Sequence, residues 1–266
     1  LINEDVPVVV LIPHDSVFHK TLSNLKEVES RGGRTIDAGA YPVILEAQAV
    51  ADLLSGFSLN FDARAAEEGR SAFSAPGGRT RVGQQVFDRG VDILSDPWRE
   101  DLPGAQAAGS GLPSEIVYLV RNGVLENLVY SRYWADRQQR EPTAGPVNRI
   151  LQGTGRPSTM AQMMAASDGA LLVTRFWYIR SVDPRTATLT GLTRDGVWWV
   201  EKGAMAYPVR NLRFNQSMIQ MLAPGNVEMV GAPERVGASE DQGSSAAMMP
   251  ALKLRAFTFT SQSEAV

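Results

Sequence analysis

The sequence predicts an α+β fold built on a large, mostly antiparallel, barrel-like β-sheet with inserted helices. Short turn dipeptides join pairs of β-rich runs at Asn122-Gly123, Asp195-Gly196 and Lys202-Gly203, and two-residue turns of this kind connect antiparallel strands. These pairs outnumber any strand–helix–strand crossover of the type that builds a parallel sheet. Hydrophobic residues make up 44% of the 266 residues, which is enough for a sizeable core.

Residues 1–40 are predicted to be a linker strand and helix from the end of a missing N-terminal part. Residues 6–12 have the apolar character of a strand, and Phe18, Leu22 and Leu25 then recur at helical spacing. The chain starts without Met and without the features of a signal peptide. We therefore expect a fragment or processed chain, with one domain over residues 41–266.

The first half of this domain contains two clear local signals. A strand over residues 41–45 leads into a helix with one apolar face, formed by Val50, Leu53, Leu54 and Phe57. Residues 115–130 form a predicted hairpin around Asn122-Gly123, a dipeptide that tolerates the positive φ angles of a type I′ turn. Between these elements, residues 60–111 are rich in Gly and Pro, so we expect loops there.

The second half predicts a β-meander with two short helices. The expected helices are residues 131–139 and 158–166, and the expected strands are residues 170–180, 187–193, 197–201, 204–209 and 252–260. Residues 237–247 are rich in Gly, Ser and Ala, which is typical of a mobile loop.

Composition excludes several classes of partner. The chain carries 26 basic and 29 acidic side chains, so its formal charge is -3 and nothing global attracts it to nucleic acid or to an anionic membrane. No apolar run approaches the roughly 18 residues that a membrane-spanning helix needs. The absence of cysteine excludes disulfides and thiolate chemistry and fits a cytoplasmic location.

No catalytic, metal-binding or cofactor-binding residue is predicted. His14 and His19 are the only histidines, and they lie five residues apart, where they would not share a helix face. No G-x-S-x-G elbow occurs, and the glycines around Thr154 lack the spacing of a phosphate-binding loop.

Residues 174–180 are the most unusual stretch, because two arginines flank three consecutive aromatic residues. Rings and guanidinium groups suit recognition of an extended peptide, so the candidate substrate-binding residues are Arg175, Trp177, Tyr178 and Arg180. The alternative is a core strand whose Trp and Phe point inward and whose arginines meet buried acids.

The same stretch belongs to a longer pattern. VTRFWYIRSVDPRT at residues 173–186, continued by LTGLTRDG at 189–196, resembles the C-terminal signature of the TldD/PmbA family. Further similar blocks are EGRS at 68–71, NGVL at 122–125, YSRYWA at 130–135, PVRNLRFN at 208–215 and FTFTS at 257–261. The blocks occur in order and cover about residues 41–266.

This resemblance implies a protein nearly twice as long, with an N-terminal α/β domain and a C-terminal barrel-like sheet. In the family, a TldD-type subunit carries an HExxxH zinc motif on the helix after the strand that corresponds to residues 41–45. It pairs with a TldE/PmbA-type subunit that lacks the motif, and together they act as a protease on unfolded or leader peptides. Here the two motif histidines fall on Ser55 and Asn60 and the glutamate on Gly56. A further cysteine ligand would fall near Trp177.

The resemblance therefore implies a non-catalytic TldE/PmbA-like subunit, with no cofactor in this chain and zinc only in a catalytic partner. The expected partners are a TldD-like metalloprotease subunit or a second copy of this chain, and an unfolded peptide substrate. An alternative is a stand-alone homodimeric peptide-binding protein without protease activity, and a third is a hydrolase that uses paired carboxylates. The older family label, modulator of DNA gyrase, suggests a DNA partner, but the charge balance does not support direct contact.

Overall fold

A computed structural model describes residues 33–237 and 247–263, which form an α+β fold with two large β-sheets. Among the described residues, 11 of the 13 pairings between named strands are antiparallel and two are parallel. The predicted fold class is confirmed. The strand and helix predicted before residue 33, and nearly all of the loop predicted at residues 237–247, lie outside the described residues.

The elements follow one another in this order. The strands are β1 (Gly39–Leu45), β2 (Ser74–Ala75), β3 (Arg79–Thr80), β4 (Val91–Ser95), β5 (Val117–Arg121), β6 (Val124–Leu125), β7 (Arg149–Gly153), β8 (Ala170–Asp183), β9 (Thr188–Glu201), β10 (Ala204–Pro208), β11 (Leu212–Ser217), β12 (Val227–Val230), β13 (Glu234–Val236), β14 (Ala247–Met249) and β15 (Leu252–Gln262). The helices are α1 (Ala47–Phe57), α2 (Ala63–Glu67), α3 (Arg132–Arg137), α4 (Met160–Ala165) and α5 (Met218–Met221), and a 3₁₀ turn covers Ser58–Phe61.

The first sheet has seven strands, five of which pair in a ring. β8 pairs with β9, β9 with β11, β11 with β15 and β15 with β1, all antiparallel, and β1 returns to β8 in parallel. The predicted meander is therefore incomplete, because β1 enters the ring between β8 and β15. Phe176, Phe214 and Phe257 from three of these strands contact one another with ring centroids 4.9 to 5.6 Å apart.

The second sheet has six strands in the order β13-β14-β7-β4-β5-β6. Its strand β4 lies in the region predicted as loop, and all five of its residues are buried. A short, fully buried strand shows no alternation of apolar and polar residues, which explains why the sequence pattern missed it. The aspartate within it, Asp92, accepts a hydrogen bond from the backbone N of Asn122 at 2.7 Å.

Helix α1 contacts both sheets. Its predicted apolar face is confirmed, since Val50, Leu53 and Phe57 are fully buried and Leu54 nearly so. The ring of Phe57 lies 5.2 to 6.0 Å from three other phenylalanine rings, those of Phe61, Phe73 and Phe87. α1 also packs along β8, so it connects the ring of strands with the rest of the core.

The predicted hairpin turn is present between β5 and β6. Asn122 and Gly123 both have positive φ, 50° and 74°, as a type I′ turn requires. The returning strand ends at Leu125, earlier than the predicted residue 130. The two predicted helices are also present: Ser131 caps α3, and Thr159 forms a capping box with Gln162 at α4.

One predicted turn is wrong. Asp195-Gly196 does not reverse the chain, because β9 runs without interruption from Thr188 to Glu201. Between the pairs Val173↔Val197 and Arg175↔Arg194, β9 contains one more residue than β8, which makes a β-bulge. Asp195 adopts a positive φ of 67° in this bulge. The Lys202-Gly203 turn is confirmed, with φ angles of 51° and 79° between β9 and β10.

Within residues 33–237 and 247–263, no helix has the length and apolar character needed to cross a membrane.

We predict that Gly123→Ala destabilises the protein more than Gly77→Ala does. Both glycines have a φ of 74°, so both substitutions carry a backbone penalty of about 1–2 kcal/mol. A Cβ at Gly123 would lie 2.4 Å from the carbonyl oxygen of Phe87, whereas a Cβ at Gly77 meets nothing within 4 Å. The clash should add about 1–3 kcal/mol to the loss of unfolding free energy, measured by urea denaturation. Equal losses for the two variants would contradict the turn geometry.

Candidate functional site

The candidate site begins at a buried carboxylate on α1. Asp52 is 0% exposed. Its Oδ1 accepts a hydrogen bond from Gln48 Nε2 at 3.1 Å, and its Oδ2 accepts one from the backbone N of Phe176 at 3.1 Å. Arg175 Nε lies 3.5 Å from the same Oδ2. Burial raises the pKa of Asp52, and the positive charge of Arg175 opposes that rise.

The charges continue from Arg175 into β9. Arg175 Nη1 lies 3.9 Å from Oδ2 of Asp195, and Arg194 Nε lies 3.3 Å from Oδ1 of the same carboxylate. Asp195 is buried, and the bulge at this residue turns it toward both arginines. Charged side chains of alternating sign therefore link α1, β8 and β9, in the order Asp52, Arg175, Asp195 and Arg194.

Aromatic rings extend the series to the surface. The guanidinium carbon of Arg194 lies 3.3 Å from the ring centroid of Trp177. Trp177 stacks on Tyr178 with centroids 5.3 Å apart and planes inclined by 10°. Arg180 in turn lies 5.7 Å from the Tyr178 ring. Cation–π contacts of this kind favour a guanidinium group over an aromatic face.

A second bulge explains why neighbouring rings stack. Successive side chains of a regular strand point to opposite faces, so Trp177 and Tyr178 would normally be separated. Here β8 contains one more residue than β9 between the pairs Trp177↔Leu192 and Arg180↔Thr190. Tyr178 has a φ of 54°, which is uncommon for a residue with a bulky side chain. This backbone conformation brings the two rings together.

The outer end of the series is open to solvent. Tyr178 is 56% exposed and Arg180 is exposed, whereas Trp177 is half-buried. The indole N–H of Trp177 is buried and donates to no acceptor among the described residues. A stacked ring pair between two guanidinium groups can contact a planar or apolar group of a ligand and pair with its carboxylates.

The structure connects all four predicted site residues, but they lie at different depths. Trp177, Tyr178 and Arg180 form the outer part, while Arg175 pairs with buried acids, as the alternative core-strand interpretation expected. Phe176 points into the core. Sequence reasoning missed Asp52, Asp195 and Arg194. Asp52 interrupts an otherwise apolar helix segment, which is a usable signal, whereas Asp195-Gly196 has the composition of a turn.

The family's zinc motif can be tested against the residues at the corresponding positions. Ser55 is buried, and Asn60 is buried with its Nδ2 donating to the carbonyl oxygen of Phe57 at 3.3 Å. Gly56 has no side chain. The described residues hold no cluster of three or more His, Cys, Asp or Glu side chains arranged for a metal ion. Neither Ser55 nor Asn60 offers the imidazole or thiolate donors that zinc prefers, so these residues do not fit a catalytic zinc ion. His14 and His19 lie outside the described residues.

The solved structures that share this fold include three that are described as follows. One is described as a proposed modulator of a DNA gyrase from Thermotoga maritima (TM-score 0.73, 20% identity, 88% of this chain and 52% of that chain). A second, from Bacteroides thetaiotaomicron, has the same kind of description (TM-score 0.71, 17% identity, 92% and 52%). The third is TldE from Thermococcus kodakarensis (TM-score 0.74, 16% identity, 92% and 56%). The chain thus spans little more than half the length of these proteins, and identities this low establish the fold alone.

Sequence comparison gives two further results. A stretch of 36 residues is 56% identical to a glutamine–fructose-6-phosphate aminotransferase from Mesorhizobium japonicum and 58% identical to the one from Agrobacterium fabrum. It covers 14% of this chain and only 6% of those enzymes, so it gives no support for aminotransferase activity. Residues 38–261 match the family model for the PmbA/TldA metallopeptidase C-terminal domain. Because this match covers most of the chain, the protein belongs to the PmbA/TldD family.

Proposed function

We propose that the chain is a non-catalytic, TldE/PmbA-like subunit of a TldD/TldE-type zinc metalloprotease complex. The complex would process unfolded and leader peptides in the cytoplasm, with the zinc ion held by the TldD-like partner. Membership of the PmbA/TldD family supports the connection to peptide hydrolysis, and a TldE is among the structures that share the fold.

The surroundings of Gly56 are the observation that carries the non-catalytic role. This residue stands where the resemblance places the catalytic glutamate. A Cβ at Gly56 would lie 3.0 Å from Ile179 Cγ2 and 3.1 Å from Leu189 Cδ1, closer than most such contacts. A glutamate here would press its side chain against apolar groups, and an ionised carboxylate in such surroundings is costly. The local packing therefore favours a subunit without the catalytic base.

The outer part of the candidate site supports a role in binding peptide. Trp177, Tyr178 and Arg180 offer a ring stack and a cation at the surface, which suit side chains and carboxylates of an extended peptide. Arg175 would contribute by holding β8 through its ion pair with Asp52. We propose these residues as the peptide contact of the subunit.

We predict that the purified chain alone binds no stoichiometric zinc and cleaves no peptide. Together with an HExxxH-bearing TldD-type subunit, it should assemble into a complex that binds zinc and cleaves peptide. Only the partner would supply the ligands and the base that activate a zinc-bound water. Native mass spectrometry gives the assembly, elemental analysis the zinc content, and a peptide-cleavage assay the activity. Replacing the partner's HExxxH glutamate by glutamine provides the control and should abolish cleavage.

Two results would overturn this assignment. One zinc ion per chain with cleavage in the absence of a partner would make the chain catalytic. A dimer of two identical chains that never associates with the TldD-type subunit would instead favour a stand-alone peptide-binding protein.

We predict that Tyr178→Ala weakens peptide binding about tenfold while the protein stays folded, because the exposed half of the ring stack is lost; stacking contacts are worth about 0.5–1.5 kcal/mol beyond burial. Tyr133→Ala is the matched control: Tyr133 is 59% exposed and its ring centroid lies 5.9 Å from the guanidinium carbon of Arg137, but it belongs to α3. Binding is measured by fluorescence anisotropy of a labelled unfolded peptide. Equal affinities of the Tyr178→Ala variant and the unmodified protein would show that the patch does not contact peptide.

A further inference from the structure

The surface that carries the ring stack continues from β8 across β9 to an arginine on β11. Trp177 pairs with Leu192 on β9, and Leu192 pairs with Arg213 on β11. Residues opposite each other in paired strands have their side chains on the same face of the sheet. Leu212 and Phe214, on either side of Arg213, are fully buried, whereas Arg213 is exposed. Arg213 therefore points away from the core, on the face of β8, β9 and β11 that we call the outer face.

A second row of paired residues places Arg180 on the same face. Arg180 pairs with Thr190, and Thr190 pairs with Asn215. Thr190 and Asn215 lie two residues from Leu192 and Arg213 along their strands, so their side chains point to the same side. With strands about 4.8 Å apart and a rise of about 3.4 Å per residue, the Cα atoms of Arg180 and Arg213 are about 12 Å apart.

Both of these cations are open to a ligand. Each is exposed, and neither pairs with an acidic side chain within residues 33–237 and 247–263. Arg180 Nη1 donates to the carbonyl oxygen of Ile179 at 2.8 Å, and the guanidinium group lies beside the ring of Tyr178. A guanidinium group has five N–H donors, so most of those of Arg180 remain for a partner.

The acids nearest in sequence are already used within the protein. Asp195 is buried and pairs with Arg175 and Arg194. Asp183 ends β8, where its Oδ1 accepts a hydrogen bond from the backbone N of Arg185 at 2.9 Å. The outer face thus presents unpaired positive charge, although the whole chain has a formal charge of -3. Such a local field favours partners of opposite charge.

We propose that the outer face selects acidic segments of peptide, with Arg180 and Arg213 each pairing with a carboxylate. This inference rests on the proposed peptide contact and names the substrate class. In an extended peptide, residues four apart point to the same side and lie about 13 Å apart, close to the separation of the two arginines. The preferred segment therefore has two acids four residues apart. An apolar residue midway between them contacts the ring stack and Leu192.

The test compares three labelled peptides by fluorescence anisotropy with the full chain. The first is Ser-Glu-Ser-Phe-Ser-Glu-Ser with both ends blocked, and the other two carry Gln or Lys in place of both Glu residues. The acidic peptide should bind at least tenfold more tightly than the Gln peptide, and the Lys peptide should bind most weakly. Added salt should reduce the acidic peptide's advantage, because ions screen exposed charges.

Arg213→Gln should reduce the preference for the acidic peptide over the Gln peptide at least threefold, while affinity for the Gln peptide stays unchanged. Arg79→Gln is the matched control, since it removes the same charge from an exposed arginine on β3, whose Nε donates to the carbonyl oxygen of Pro76. It should leave the preference unchanged. An equal loss of preference in the two variants would show that net charge, and not the outer face, selects the peptide.

The remaining outcomes separate this inference from the proposed peptide contact. If the acidic and Gln peptides bind equally and Tyr178→Ala weakens both, the peptide contact stands and the selection of acids is overturned. If no peptide binds, or if Tyr178→Ala changes nothing, both proposals fail. Tighter binding of a single-stranded thymidine heptamer than of the acidic peptide, lost in Arg213→Gln, would also overturn the inference and identify the outer face as a phosphate-binding surface.

Discussion

The buried carboxylate of Asp52 is the constraint from which much of the candidate site follows. A charge taken fully out of water needs hydrogen bonds and an opposite charge nearby. Asp52 obtains them from Gln48 on its own helix and from the backbone N of Phe176 and the side chain of Arg175 on β8. The helix and the strand are therefore joined at one point by charge as well as by apolar packing. The pKa of Asp52 is raised, because burial destabilises its charged form more than the positive charge of Arg175 stabilises it.

The two bulges extend this constraint to the surface. The bulge in β9 turns Asp195 toward Arg175 and Arg194, and the bulge in β8 brings Trp177 and Tyr178 into a stack. A regular pair of strands would separate these side chains onto opposite faces. The exposed surface proposed to contact peptide is thus supported from beneath by an ion-pair series that reaches α1.

Features that depend on local sequence were predictable. The hairpin at Asn122-Gly123 and the helices capped by Ser131 and Thr159 each follow from a few adjacent residues. Features that depend on distant partners were not. Asp195-Gly196 has the composition of a turn. The pairing of β9 with β8 shows instead that Asp195 lies in a bulge, buried beside Arg175 and Arg194. Two contacts join residues more than 100 positions apart: β1 closes the ring by pairing with β8, and Asp52 pairs with Arg175. No periodicity in the sequence can show contacts of this kind.

A double-mutant cycle on Asp52 and Arg175 tests the central claim most directly. Unfolding free energies are measured by urea denaturation for the unmodified protein, Asp52→Asn, Arg175→Met and the double variant. Each single substitution leaves the other group buried without its main opposite charge, so the account predicts that the double variant loses less than the sum of the singles, with a coupling energy of about 2 kcal/mol or more. Additivity within about 0.5 kcal/mol would contradict it and would mean that the ion pair between Asp52 and Arg175 does not help to hold α1 against β8.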